Sequence, residues 1–297
     1  MKIGAIFPTT EIGNDPIAIR DWAQTAEQLG YSHMITYDHV LGAVHAGREP
    51  ALTGPYTEEH PFHEPLVLFG YLAGQTTSLE LATGVLILPQ RQTALVAKQA
   101  IEVNVLSGGR LRLGIGTGWN WVEYDSLNVP YAGRGARLDE QIDVLRELWS
   151  APTIDFRGKL HRIDRAGLLP QPVRRIPIWC GGFSKPAFRR AARHADGFQF
   201  GAAGPPFRRQ WETIQGMLEA EGRSVEGFGA EATVDFSLGP DAWRSEFEAW
   251  KEAGGTHFSV RAMDTAAELI GAKRMDYAGP QAYIDVLAEF AKAVDFD

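Results

Sequence analysis

The chain has 297 residues, a formal net charge of −8 from 29 basic and 37 acidic residues, and one cysteine, Cys180. Without a dense cluster of lysine and arginine this charge balance argues against a nucleic-acid partner, and one cysteine excludes an intramolecular disulfide and a cysteine-rich zinc site. No stretch approaches the roughly 20 apolar residues of a membrane helix, and residues 1–8 are too short for a signal-peptide core. The sequence therefore predicts a cytoplasmic protein with no membrane partner.

Short apolar runs alternate with amphipathic segments along the chain, a pattern typical of alternating strands and helices. The first helix is predicted to begin at Pro16, after the N-cap residue Asp15, and to stop at Gly30. The predicted strands are residues 2–7, 33–37, 79–88, 111–116, 177–182, 197–201, 232–238 and 256–260. The other predicted helices are residues 64–77, 93–106, 135–149, 184–195, 207–221, 242–253 and 280–294.

Eight alternations of strand and helix, without a linker, predict one α/β domain over residues 1–297, folded as a (β/α)8 TIM barrel. Two long insertions interrupt the pattern: residues 41–61 after strand two, and residues 150–173, with a hairpin-like pattern, after helix four. Loops of such length usually cover a site. A doubly wound open sheet is the weaker alternative, because Gly-x-Gly-x-x-Gly is absent after the first strand.

Residues 111–120 contain the first candidate for a ligand site. From Leu111 to Gly116 apolar residues alternate with small or charged ones, which predicts a strand. In an α/β protein ligands bind just past the carboxyl end of a strand, where small residues let the backbone approach them. The candidates there are Thr117, Gly118, Trp119 and Asn120. The Trp119 indole either stacks on a ring system or caps the barrel core.

Asp38 and His39 follow the second predicted strand and lie beside the first long insertion. Histidine titrates in the range where proton transfer at neutral pH is efficient, so this pair is a candidate for catalysis. The alternative is a loop-capping aspartate next to a surface histidine. His60 and His63 suggest a metal site with His39, but no carboxylate–histidine pair ends strand one, so we predict no metal.

Gly84 and Val85 lie inside the third predicted strand, where a glycine has no packing advantage. Either a planar ligand lies against this backbone or the glycine marks an ordinary β-bulge.

A second glycine segment lies between strand five and its helix. Glycine amides, a serine hydroxyl and a helix N-terminus converge there, a combination that binds phosphate, although a sharp turn with a serine N-cap has the same pattern. Its residues are Gly181, Gly182, Phe183 and Ser184.

Four segments taken together resemble the bacterial luciferase-like family, and within it most closely the oxidoreductases that use coenzyme F420, a deazaflavin. They are Thr-Gly-Trp-Asn at 117–120, Gly-Ala-Arg-Leu-Asp-Glu-Gln-Ile at 135–142, Pro-Ile-Trp-Cys-Gly-Gly-Phe-Ser at 177–184 and Arg-Arg-Ala-Ala-Arg-His-Ala-Asp-Gly at 189–197. The resemblance implies a barrel with a flavin or deazaflavin ring at its mouth and the phosphate at residues 181–184. It further places residues 117–120 against the ring or its tail.

The resemblance also implies roles for two residue pairs. Asp38 and His39 would lie beside the reactive ring, and Gly84–Val85 would form a cis peptide beneath it. The implied reaction is hydride transfer between coenzyme F420 and a small, fairly apolar organic substrate, with His39 exchanging a proton and Asp38 orienting it. Sugar-phosphate dehydrogenases of the family carry a catalytic glutamate where this chain has Trp119, so a sugar phosphate is not expected.

Two alternatives stay open at this point. One is an FMN-dependent monooxygenase of the same fold, which would consume oxygen and receive reduced flavin from a partner reductase. The other is a flavin-binding barrel without catalytic activity. In each case the resemblance implies a homodimer through the helices near strands two and three, and we expect residues 41–63 and 151–172 to form a lid over the site.

Overall fold

The protein, seen in a computed structural model that describes residues 1–265, 267 and 271–294, contains a closed barrel of parallel strands surrounded by helices. The strands are β1 (Lys2–Ile6), β2 (His33–Thr36), β3 (Glu80–Thr83), β4 (Leu86–Ile87), β5 (Leu111–Gly116), β6 (Ile154–Arg157), β7 (Arg162–Ala166), β8 (Ile178–Gly181), β9 (Gly197–Gln199), β10 (Gly229–Asp235) and β11 (His257–Arg261). Eight of them form the barrel in the order β3-β2-β1-β11-β10-β9-β8-β5, and β3 pairs with β5 to close it. The predicted (β/α)8 barrel is confirmed.

Pairing between neighbouring barrel strands is parallel all the way round. Ala5 of β1 lies opposite both Met34 of β2 and Val260 of β11, and the barrel closes where Leu81 of β3 lies opposite Leu111 of β5. Parallel pairing brings the carboxyl ends of all eight strands to the same end of the barrel, which we call its mouth. The loops that follow these strand ends therefore share one surface.

The helices follow the strands and cover the outside of the barrel. They are α1 (Pro16–Gln28), α2 (Pro65–Ala73), α3 (Thr93–Leu106), α4 (Trp121–Ser126), α5 (Arg134–Ser150), α6 (Lys185–His194), α7 (Pro205–Ala220), α8 (Pro240–Glu252) and α9 (Gly279–Val294). Asp15 caps α1 by accepting a hydrogen bond from the Ile17 amide (2.9 Å), as its position before Pro16 predicts. Only α4 was not predicted, since six residues are too few to show a helical period.

The main hydrophobic core lies between the barrel and the helices, where large aromatic side chains from the helices are completely buried. Among them are Trp22, Phe69, Trp211, Trp243 and Phe290. A smaller apolar cluster of Ile6, Ile35, Ala82 and Met263 forms separately from it. Ile6, Ile35 and Ala82 come from the neighbouring strands β1, β2 and β3, so they form one apolar layer of the barrel.

Charged side chains form a second, polar cluster in the barrel. Oε1 of Glu231 lies 2.5 Å from Nε2 of His33, and Oε2 accepts a hydrogen bond from Arg112 (2.7 Å). Arg112 also binds Glu80 (2.6 Å) and places its guanidinium 4.2 Å from the ring centre of Trp179. Burial alone would raise the pKa of Glu231, but the charges of Arg112 and His33 outweigh it and hold that pKa well below its usual range.

His257 packs its ring against His33 and Trp179 beside this cluster, and we expect it to make the stability of the protein depend on pH. Burial and the charge of Arg112 lower the pKa of His257 to about 2, whereas an unfolded histidine has a pKa of about 6.5. Below about pH 6.5 the unfolded chain therefore binds a proton that the folded chain excludes. The free energy of unfolding should fall as the pH decreases, with a slope of up to about 1.4 kcal/mol per pH unit from this group.

Urea unfolding of the wild type and of His257→Phe between about pH 7 and about pH 5 measures this slope. The phenylalanine keeps an aromatic ring but cannot titrate, so the variant should show the shallower dependence. The control is His194→Gln, which replaces a half-buried histidine outside this cluster. Parallel curves for the wild type and His257→Phe would contradict the assignment.

The second long insertion forms an antiparallel hairpin of β6 and β7, as its pattern predicts. Glu140 of α5 accepts hydrogen bonds from the backbone amides at the hairpin tip (2.6–2.8 Å), and His161 lies 2.7 Å from the hydroxyl of Thr93 in α3. The described hydrogen bonds of the hairpin thus join it to α3 and α5 and not to the residues around His39. That residues 151–172 form part of a lid stays a prediction.

No helix in the described part of the chain has the length and apolar character needed to cross a lipid bilayer.

Candidate active site at the mouth of the barrel

The predicted site residues follow the carboxyl ends of four strands that are neighbours in the barrel. The strands β2, β3, β5 and β8 lie side by side, so the segments after them share one side of the mouth. Asp38 and His39 follow β2, Gly84–Val85 lies between β3 and β4, residues 117–120 follow β5, and residues 182–184 follow β8. The barrel topology thus gathers on one side segments that are far apart in sequence.

His39 is enclosed by aromatic rings, and its side chain is only 9% exposed. Its ring centre lies 5.2 Å from that of Tyr56, 4.9 Å from that of Phe62 and 5.4 Å from that of Trp119. Tyr56 and Phe62 belong to residues 41–63, which we call the cover segment. The cover segment therefore lies directly over His39, as expected of a lid.

The cover segment also packs on Trp119. The backbone at Gly54 lies so close to the indole that a Cβ there would collide with the ring, and the His45 ring lies at a centre-to-centre distance of 6.0 Å. The indole packs between the catalytic candidate His39 and the cover segment, so it does not cap the barrel core, and its stacking on a bound ring stays a prediction. It forms part of an aromatic wall beside His39.

The polar partner of His39 is Glu123, which lies in the first turn of α4. Oε2 of Glu123 is 3.1 Å from Nδ1 of His39, and Oε1 accepts hydrogen bonds from the amides of Val40 (2.6 Å) and Leu41 (3.0 Å). Glu123 is 1% exposed. Sequence reasoning missed this partner, because α4 is too short to show a helical period and the two residues are far apart in the chain.

Asp38 makes different contacts. Its Oδ2 accepts a hydrogen bond from the Ile87 amide (2.8 Å) and its Oδ1 from Arg91 (2.7 Å), which also binds Glu64 (2.9 Å). Burial raises the pKa of Asp38, and the charge of Arg91 opposes that effect. The prediction that Asp38 orients His39 is therefore wrong, because a carboxylate buried this deeply needs a countercharge and both of its oxygens are used in binding the segment after β3.

The peptide between Gly84 and Val85 is cis, as the resemblance implies. The isopropyl group of Val85 packs over the glycines that flank it on the neighbouring strands. A Cβ at Gly116 would collide with Val85 Cγ2, and a Cβ at Gly181 would lie 2.8 Å from Val85 Cγ1. Val85 is half-buried, so it presents an apolar surface at the mouth of the barrel.

The segment after β5 needs a glycine at position 118. Gly118 has a φ of +61°, and a Cβ added there would lie 2.9 Å from Ile87.

The structure gives Asn120 a different role from the predicted coenzyme contact. Its Oδ1 caps α4 by accepting a hydrogen bond from the Val122 amide (3.1 Å), and its Nδ2 donates to the Leu41 carbonyl (3.3 Å). Asn120 is buried, so its amide serves the protein itself.

The segment after β8 leads into the N-terminus of α6. Ser184 occupies the N-cap position with an extended backbone, but its hydroxyl makes no capping hydrogen bond. Gly182 has a φ of +136°, and Phe183 is 74% exposed, with its ring beside Gly201. The Ser184 hydroxyl and the first amides of α6 are thus open to an anion, as the phosphate interpretation requires.

Gln199, at the end of β9, adds a polar group that sequence reasoning did not identify. Both Nε2 and Oε1 are buried without a hydrogen-bond partner among the described residues. A Cβ at Gly114 would lie 2.8 Å from this Oε1, and one at Gly84 would lie 3.6 Å from it. Because a buried amide needs a partner, Gln199, the apolar Val85 and the α6 terminus together fit a flavin-type ring with a polar edge and a phosphate.

The described residues contain no group of three or more histidine, cysteine or carboxylate side chains that could hold a metal ion. The mouth of this TIM barrel has three features: a histidine beside a carboxylate, an apolar surface flanked by glycines, and an open helix N-terminus. Coenzyme-dependent enzymes have this architecture. The whole sequence, residues 1–297, matches the family described as luciferase-like monooxygenase. The chain therefore belongs to the luciferase-like monooxygenase family.

The relatives of the chain include enzymes of both coenzyme types. An uncharacterized protein of Mycobacterium bovis is 38% identical over 188 residues, which are 62% of this chain and 65% of that protein. An FMNH2-dependent dimethylsulfone monooxygenase of Pseudomonas fluorescens is 30% identical over 219 residues (72% and 56%). An F420-dependent glucose-6-phosphate dehydrogenase of Nakamurella multipartita is 29% identical over 192 residues (62% and 51%). The matches thus span between about half and two thirds of these proteins' length.

The fold is shared with solved structures at much lower identity. An F420-dependent secondary alcohol dehydrogenase, in complex with an F420–acetone adduct, superimposes with a TM-score of 0.74 and 17% identity, covering 99% of this chain and 98% of that chain. This likeness concerns the fold alone. The relatives of the chain thus include F420-dependent and FMN-dependent enzymes, and the match over the whole sequence places the chain in the luciferase-like family.

Proposed function

We propose that the protein transfers a hydride between coenzyme F420 and a small, fairly apolar organic substrate. The observation that carries this proposal is His39, a buried histidine held by a carboxylate at the mouth of the barrel. Oxidation of an alcohol, or reduction of a carbonyl, moves one hydride and one proton, so it needs such a proton-exchanging group beside the ring. Coenzyme F420, when bound, supplies or accepts the hydride.

Four parts of the mouth would hold the coenzyme. Val85 would support the ring with its apolar surface, and the amide of Gln199 would pair with the polar edge. Ser184 and the first amides of α6 would bind the phosphate. The backbone of Thr117 and Gly118 would lie beside the ring or its tail. Asp38 would act indirectly, since its bonds to Ile87 and Arg91 position the segment that carries Val85.

The substrate would bind next to His39, which would take up or release the proton of the substrate oxygen. Tyr56, Phe62 and Trp119 surround the imidazole, so the adjoining surface is aromatic and favours a neutral, apolar molecule. The cover segment would exclude water from the reacting groups. An indole at position 119 offers no charge to a sugar phosphate, which supports the expectation that such substrates are not used.

The second candidate is an FMN-dependent monooxygenase that receives reduced flavin from a partner reductase. It is favoured by the 30% identity to an FMNH2-dependent monooxygenase, because the ring and phosphate sites would serve either coenzyme. A barrel that binds a flavin without catalysis is less favoured. Burying a histidine–carboxylate pair costs free energy, and such a barrel would gain nothing from it.

Titration of the purified protein with F420 and with FMN, followed by fluorescence, tests the choice of coenzyme. We expect F420 to bind at least about tenfold more tightly than FMN. Gln199→Leu should weaken F420 binding by about tenfold, the value of one buried hydrogen bond. The matched control Gln281→Leu, on the exposed side of α9, should bind like the wild type. Tight binding of FMN without binding of F420 would overturn the proposal in favour of the monooxygenase.

We also propose that the protein is a cytoplasmic homodimer, with no membrane or nucleic-acid partner. Large apolar side chains are exposed on α2 and α3, where Val67 is 70% exposed and Leu106 is 60% exposed. A second copy of the chain would cover them. The cytoplasmic location is supported by the single cysteine, Cys180, which is buried and free, so the protein does not depend on an oxidising compartment for a disulfide. Light scattering of the purified protein in solution tests the dimer, and a monomer at micromolar concentration would contradict it.

A further inference from the structure

We propose that Glu123 is a positioning residue with two linked tasks: it fixes the tautomer of His39, and it holds the start of the cover segment. The inference rests on the proposed role of His39 as the proton-exchanging group. The two oxygens of Glu123 divide these tasks. Oε2 faces His39 Nδ1, whereas Oε1 accepts from the amides of Val40 and Leu41.

The first task follows from what a carboxylate can do. An ionised carboxylate only accepts hydrogen bonds, so the Nδ1 atom that faces it carries the hydrogen. In neutral His39 the other ring nitrogen, Nε2, is then unprotonated, and the described residues offer it no hydrogen-bond partner. Nε2 is therefore the atom placed to take up the proton of a substrate hydroxyl, and coenzyme F420, when bound, would accept the hydride of the adjacent C–H bond. In the reverse direction Nε2–H returns the proton to the oxygen.

Burial makes this contact effective in both protonation states. Glu123 is 1% exposed and carries three hydrogen-bond partners, so its charge is oriented and poorly screened by water. When Nε2 gains a proton, Nδ1 still faces that carboxylate, so the ring keeps its orientation. The Asp38 carboxylate makes no such contact with His39, because its two oxygens bind the Ile87 amide and Arg91.

The second task joins α4 to the cover segment. Asn120, the N-cap of α4, donates to the Leu41 carbonyl, next to the two amides that Glu123 binds. Trp119, one residue earlier, packs against the backbone of Gly54 in the middle of the cover segment. The start and the middle of the cover segment are thus both held by residues 119–123. Glu123 thus links the tautomer of His39 to the backbone at the start of the cover segment.

Glu123→Gln separates the two tasks. Its amide oxygen still accepts from Val40 and Leu41, but its NH2 group now faces Nδ1 and donates to it, which moves the hydrogen of His39 to Nε2. We expect nitrogen NMR of histidine-labelled protein to show the Nδ1–H form in the wild type and the Nε2–H form in the variant. His39→Asn assigns the signal by removing it. An unchanged tautomer in Glu123→Gln would overturn the first task.

Kinetics and proteolysis complete the test. In Glu123→Gln we expect kcat for substrate oxidation to fall about 100-fold, while the affinity for F420 stays unchanged. The control is Asp125→Asn, which replaces an exposed carboxylate on the same helix and should have the wild-type kcat. Glu123→Ala should in addition raise the rate of proteolytic cleavage within residues 41–63 about tenfold, while Glu123→Gln should not. Equal cleavage of the wild type and Glu123→Ala would overturn the second task.

The outcomes also distinguish this inference from the proposed function. If the wild type neither binds F420 nor oxidises a substrate with it, the proposed function fails, yet the tautomer and cleavage measurements still decide the role of Glu123. If the wild type is active and the tautomer of Glu123→Gln is unchanged, the proposed function stands and the inference fails. Urea unfolding of each variant identifies any loss that comes from misfolding.

Discussion

Replacing His39 by asparagine should lower turnover by about 100-fold or more and leave the affinity for F420 nearly unchanged. The asparagine amide can still donate a hydrogen bond towards Glu123, but it cannot take up or release a proton near neutral pH. Steady-state rates at saturating coenzyme, together with fluorescence titration of F420, measure the two quantities separately.

His194→Asn, a histidine substitution on the half-exposed end of α6, should retain wild-type turnover. An unfolding curve for His39→Asn close to that of the wild type would show that the loss is chemical. The assignment of His39 as the proton-exchanging group is wrong if the asparagine variant keeps turnover within about threefold of the wild type.

Replacing Arg91 by methionine should lower the free energy of unfolding by about 3–5 kcal/mol. The substitution leaves the Asp38 carboxylate buried without its countercharge, and it also removes the contact with Glu64. Urea unfolding measures the loss. The double variant Arg91→Met/Asp38→Asn should recover part of it, since the uncompensated charge is then gone.

The matched control is Arg189→Met, which replaces an exposed arginine on α6 and should change the free energy of unfolding by less than about 0.5 kcal/mol.

Asp38→Asn alone distinguishes a structural from a catalytic role for Asp38. We expect it to reduce stability and F420 affinity while turnover at saturating coenzyme stays close to that of the wild type. A loss of turnover in Asp38→Asn as large as that in His39→Asn would show that Asp38 takes part in catalysis.

The barrel could be predicted from the sequence because its signals are local. The period of apolar residues gives each strand and helix, and α3 has the predicted bounds from Thr93 to Leu106. Caps and breakers fix the ends, as Asp15 does for α1. Bounds are less secure where the pattern is mixed. β10 begins at Gly229 instead of residue 232, because the charged Glu231 faces its partners inside the barrel and does not look like a core residue.

The partners within the site could not be predicted, because they depend on side-chain directions between distant segments. The sequence brought Asp38 and His39 together as neighbours, but successive residues at a strand end point in different directions. Asp38 turns to Arg91, and His39 turns to Glu123 in the short helix α4. The orphaned amide of Gln199 carries no sequence signal at all, since its meaning comes only from its burial.

The packing of Val85 over Gly116 and Gly181 has an evolutionary consequence. The isopropyl group occupies the volume that a side chain at either glycine would need, so the three positions form one steric unit. A larger residue at 116 or 181 is compatible with the fold only if position 85 becomes smaller at the same time. Among descendants of this sequence, a larger residue at position 116 or 181 should therefore occur only together with a smaller residue at position 85.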